Sequence, residues 1–157
     1  MTKHHFKRYL ILICLICFTF HSSHFFAQNI TTVDTNTVIE ESYGSLNNIH
    51  KQMLNIIENY FISNISTTTS KPDPGYLDIY ISQLNAISDK IKAVDQSKVT
   101  PEQKTKLRIL RDATDDLTYI SGTLKRLLTS LDAKEQYNLF RAILYASNLV
   151  EKDFSYF

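Results

Sequence analysis

The chain has 157 residues, 17 of them basic and 16 acidic, with only three Gly, three Pro and no Trp. An all-β sandwich needs a turn signal about every 8 to 12 residues, so this scarcity of turn-makers excludes one. The near-neutral balance excludes a general polyanion binder, and nucleic acid is not an expected partner.

Residues 1–27 read as a secretion signal. Lys3, Lys7 and Arg8 precede the uncharged apolar run from Tyr9 to Phe20; polar residues His21 to His24 follow, and Ala27 offers a small residue before the cut. The run is about 12 residues, short of the roughly 18 to 20 that span a bilayer. An uncleaved anchor is the alternative. Ile13 and Ile16 precede Cys14 and Cys17 where a lipoprotein needs small residues. Both Cys lie in this segment, so the mature chain is expected to lack thiols for disulfides, metal sites or catalysis. That fits a periplasmic or secreted bacterial product, since a secreted eukaryotic domain of this size more often carries disulfides. Without Lys3, Lys7 and Arg8, 14 basic residues face 16 acidic ones, a net charge near −2. Roughly 130 residues remain, enough for one domain.

Residues 28–36 read as a flexible lead and residues 37–157 as the folded domain. A first helix is predicted from about Val38 to Ile65. Thr37 and Glu40 have capping-box spacing, and Ile39, Tyr43, Leu46, Ile49, Met53, Ile56 and Tyr60 form one face. The polar stretch 63–74 is the longest loop. A second helix opens at Asp73-Pro74-Gly75, with Asp as cap and Pro at the first position. Its apolar positions are Leu77, Tyr80, Leu84, Ile87, Ile91 and Val94, the three-four spacing of coiled-coil-like packing.

Thr100-Pro101-Glu102-Gln103 is the clearest helix start in the chain. From it, Leu110, Ala113, Leu117, Ile120, Leu124, Leu127 and Leu131 keep the three-four pattern, giving a helix of about 46 Å if continuous. Gly122, off the seam, marks a close helix approach or a kink. The last helix starts near Asp132, with Glu135 at capping-box spacing. It carries two stripes: Tyr137, Phe140, Leu144 and Ser147, and Leu139, Ile143, Ala146 and Val150. A helix apolar on both sides is either the most enclosed or offers one face to a partner. Together these elements predict an all-α antiparallel four-helix bundle behind an N-terminal secretion signal.

No cofactor or metal is expected. His50 is the only His beyond residue 27, and it reads as a surface or boundary residue. A di-iron bundle needs Glu-x-x-His on two helices, and a zinc site needs more than one good ligand. The Gly-x-Ser-x-Gly elbow is absent. Asp115 and Asp116 are adjacent rather than opposed across a cleft, and Asp112 and Asp115 fall on a solvated face.

Two candidate interaction surfaces remain. From Lys90 to Arg111, seven basic residues (Lys90, Lys92, Lys98, Lys104, Lys106, Arg108, Arg111) outweigh Asp95 and Glu102, a local charge of +5 against about −7 elsewhere. A helical hairpin gathers them at one end of the bundle. Several lie in the first turns of a helix, where the dipole disfavours cations, which points to an anionic lipid surface, an acidic protein face or the chain's own acidic remainder. The other surface is aromatic. Tyr145, Phe154, Tyr156 and Phe157 crowd the last helix and tail, and a tail that does not fold back is a docking site.

The expected function is therefore non-catalytic: an exported helical bundle that binds another protein. In organisation alone the layout is similar to small exported helical proteins of bacterial conjugation and secretion machinery, which implies an envelope component as a second reading. An inhibitor of an exported toxin is a third, and an enzyme of unrecognised type the remainder.

Overall fold

The computed structural model describes residues 34–65 and 71–157. The expected signal and residues 28–33 of the expected lead lie outside the described residues. The described residues are all-helical: α1 (Thr35–Ile65), α2 (Tyr76–Lys92), a short 3₁₀ turn (Gln96–Lys98), α3 (Pro101–Thr129) and α4 (Ala133–Phe154).

Helix α1 begins at Thr35, ahead of the expected Thr37 cap. Asp34 supplies the start: its carbonyl accepts from Val38 N at 3.1 Å, and its carboxylate suits the positive end of the helix dipole. At the entry to α2, Gly75 N donates to Asp73 Oδ1 at 2.8 Å, closing a turn, and regular helix begins at Tyr76. The α3 start is as the sequence predicts. Gln103 N donates to Thr100 Oγ1 (3.2 Å), and Thr100 N donates to Gln103 Oε1 (2.9 Å), a reciprocal capping box. At α4, Asp132 Oδ1 accepts from Lys134 N and Glu135 N. The Glu135 carboxylate turns instead to Ser130 Oγ (2.7 Å) and Arg126 Nη2 (2.9 Å). These bonds hold its pKa below the usual carboxylate range, Ser130 contributing most.

Residue pairs give the directions. Tyr43 near the start of α1 stacks on Phe157 just past the end of α4. Phe61 near the end of α1 meets Phe140 near the start of α4. Asp78 at the start of α2 holds Lys125 at the end of α3 at 2.7 Å. Asn36 and Gln103, both in first turns, join at 2.8 Å. Each helix thus runs opposite to its sequence neighbours, and α1 runs parallel to α3.

Helix α3 packs against all three others, whereas α1 meets α4 along a sparse seam. The core follows the three-four spacing. Leu77, Leu84 and Ile91 of α2, seven residues apart, are fully enclosed, as are Leu110, Leu117 and Leu124 of α3. Tyr80, Ile87 and Val94 pack at its margin. Leu131 departs from the expected stripe: α3 ends at Thr129, the following turn carries Leu131 outward, and it is 95% exposed. On α4 the second stripe is core and the first is divided: Ser147 is buried and Phe140 packs at the core margin. Leu139, Ile143, Ala146 and Val150 are buried, while Tyr137 and Leu144 are exposed. Among the described residues no helix is long and apolar enough to cross a membrane.

Candidate functional site

The basic residues do not act as one patch. Lys90 pairs with Glu41 of α1. Lys98 pairs with Asp95 at 3.5 Å, Lys106 with Glu102 at 3.0 Å, and Arg108 with Asp112 at 3.7 Å; Lys92 lies 4.0 Å from Asp89. Asp95 also accepts from Ser97 N and Oγ, and these bonds are the main cause of its lowered pKa. Lys104 and Arg111 have no ion pair among the described residues. With Arg108 they fall at positions i, i+4 and i+7, one exposed face of α3. Lys106 points the other way, toward α1.

The aromatic residues also separate. The chain beyond α4 turns back on itself: Ser155 N donates to Glu151 O (3.1 Å) and Phe157 N to Phe154 O (3.2 Å). This folds the tail onto α1. Phe157 stacks on Tyr43 (centroids 4.8 Å, interplanar 12°), and Phe154 meets the same ring edge-on (5.4 Å, 87°). Tyr156 stays exposed. Tyr145 lies apart, with Tyr119, Arg141 and Leu149 in the outer α3–α4 groove.

Where the two sets meet there is a cleft of about 470 Å³. Ile39, Tyr43 and Phe157 give it an apolar wall. Asn36, Thr100, Gln103, Glu40 and the Glu102–Lys106 pair give it polar edges. Tyr43 was legible in the sequence only as a core position. Its place between two tail rings depends on the turn after α4, which periodicity does not encode.

His50 corrects the sequence reading. It is not at the surface but only 4% exposed, and its Nε2 lies 2.6 Å from Ser147 Oγ across the α1–α4 seam. Phe154 packs edge-on against it at 6.1 Å. Burial lowers the imidazole pKa, with Glu151 opposing. The residue falls on the buried arc because α4 offers a hydroxyl there, a partner 97 positions away.

Nearby, Asp116 and Asp153 are pushed above the usual carboxylate range. For each the main cause is burial; Asp153, Asp112 and Asp115 add to it for Asp116, and Asp112 adds to it for Asp153, where Lys152 and Arg108 oppose. Among the described residues no group of three or more His, Cys, Asp or Glu side chains could hold a metal ion. Comparison with known protein families, curated proteins and solved structures finds no match.

Proposed function

We propose that the protein is exported through the signal at residues 1–27 and acts without catalysis, as a helical bundle that binds another protein at the end where α1 and α3 begin. The observation that carries this reading is the cleft between Tyr43, Phe157 and Lys106; on another face of α3 stand Lys104 and Arg111, which have no ion pair among the described residues. Aromatic rings at the centre with charges at the rim is the composition of a binding hot spot. The tail supplies one wall of the cleft through Phe157. His50 supports the same reading, because its Nε2 is already engaged by Ser147 out of reach of solvent.

The partner that suits this end is an acidic protein face carrying an exposed aromatic or aliphatic side chain. Affinity capture from an envelope and culture-fluid extract tests it, with the unaltered chain beside two variants. Lys104→Glu with Arg111→Glu breaks no ion pair, and Phe157→Ala removes one wall. Loss of the same captured protein in both variants supports the proposal. Equal capture by all three chains overturns it. Binding to anionic-lipid vesicles that both Glu substitutions abolish, with no protein captured, replaces the protein partner by a membrane surface.

A further inference from the structure

A second surface lies away from that cleft, between α1 and α2. It is a groove of about 510 Å³ lined by the small residues Ser42, Gly44 and Ser45 of α1 and Ala86 of α2, by Ile87, and by Glu41 and Lys90 at the lip. In α3, the hydroxyls of Thr105, Thr114, Thr118, Ser121 and Thr129 each donate to the carbonyl four residues back. Ser42 does not. Its residue is 2% exposed, and its Oγ has no hydrogen-bond partner among the described residues. A buried hydroxyl left alone costs about 1–3 kcal/mol. Gly44 adds a second anomaly: a Cβ there would meet nothing within 4 Å, so no close approach within the molecule calls for Gly in mid-helix.

The adjoining face of α2 carries Tyr76, Ile79, Gln83, Ala86 and Lys90, spaced three-four-three-four; the first four are exposed. That stripe runs about 21 Å and has the period of a helix-packing seam. The groove's charges are self-complementary. Glu41 and Lys90 are ion-paired within the chain, and a two-fold axis through the groove would set that pair antiparallel to its copy, four charges alternating in sign.

We infer that the α1–α2 groove is the seat for a second copy of this chain, packed about a two-fold axis with the Glu41 and Lys90 pairs opposed. Isologous contacts of this kind are the commonest route to a soluble dimer. The small residues let helix backbones approach closely.

Sedimentation equilibrium of the full chain tests this, beside Ala86→Arg, Glu41→Lys, Lys90→Glu and the double reversal. Ala86 is exposed, so its variant keeps the fold, which circular dichroism checks. The full chain is expected to be dimeric. Ala86→Arg and each single reversal should raise the dissociation constant at least about tenfold, and the double reversal should restore it. A monomeric full chain, a dimer indifferent to Ala86→Arg, or a double reversal that fails to restore overturns the inference. None of these results bears on the Tyr43–Phe157 cleft, so the two surfaces stand or fall separately.

Discussion

Two seams of the bundle are built on different physics. Around α3 the helices meet through aliphatic side chains such as Leu110, Leu117 and Leu124, with no exposed surface left. Between α1 and α4 the contact is a string of rings and one polar bond: Tyr43 with Phe154 and Phe157, His50 with Ser147, Phe61 with Phe140. The first seam is held mainly by volume, which is indifferent to pH; the part-buried Asp116 and Asp153 at its α3–α4 edge have raised pKa values and so favour the folded state as pH falls. The second depends on a titratable group, so acid should loosen α1 from α4 before it disturbs α3.

The largest effect belongs to the α3 seam. Leu117→Ala should cost about 2–5 kcal/mol in denaturant unfolding, from lost burial and the cavity left behind. The loss should be the same at pH 5 and pH 8. A cost below about 1 kcal/mol would show that the site collapses, and the contrast between the seams would weaken.

His50→Ala comes next. It strands the Ser147 hydroxyl in a buried place and should cost about 1–3 kcal/mol. Pairing His50→Leu with Ser147→Ala removes both polar partners and should recover most of that loss. The pH dependence has a definite sign. Burial depresses the folded pKa below the ordinary 6.5, so on acidification the unfolded chain takes up this proton first. Stability therefore falls as pH drops below about 6.5, and it levels off beneath the depressed folded value. The Leu/Ala double variant should lose that fall, leaving only the opposite slope of Asp116 and Asp153 at lower pH. A fall that persists in it would place the titrating group elsewhere.

The same contrast explains what the sequence could reveal. The α3 seam was legible because three-four spacing records which residues share a face, and Leu110 to Leu127 are buried as predicted. Pro101 and the Thr100–Gln103 box were legible because capping chemistry is local. Leu131 fitted the period and still lies outside, because where a helix stops depends on the turn that follows. His50 was misread because a polar residue's burial is decided by its partner, and Ser147 sits on a different helix. The basic run was visible as a count, but ion pairs divide it. Glu41, far off in sequence, takes Lys90, while Lys104 and Arg111 are left over. The aromatic tail was visible as composition, but only the turn at Ser155 sets Phe157 on Tyr43.

The start of α3 offers a smaller test. Thr100→Ala removes one half of the capping box and should cost about 1 kcal/mol, with the loss confined to the end that also carries the cleft. Hydrogen exchange should quicken at Gln103 and its neighbours and leave Leu124 unchanged. Uniform quickening would mean that the first turn and the α3 seam open as a single unit.

The smallest effect has the opposite sign and lies on the back of the same helix. Gly122 reads in the sequence as a close approach or a kink. In the structure it is exposed, and a Cβ built there meets nothing within 4 Å. Its backbone φ is not positive, so the position asks nothing of Gly. A mid-helix Gly is less favourable than Ala by roughly 0.5–1 kcal/mol, through the freedom it has in the unfolded chain. Gly122→Ala should therefore stabilise by about that much, at pH 5 and pH 8 alike, because it touches neither seam. Destabilisation would mean that the helix at Gly122, three residues from Tyr119 and on the exposed side of the helix that carries Lys104 and Arg111, does not accept a Cβ without strain.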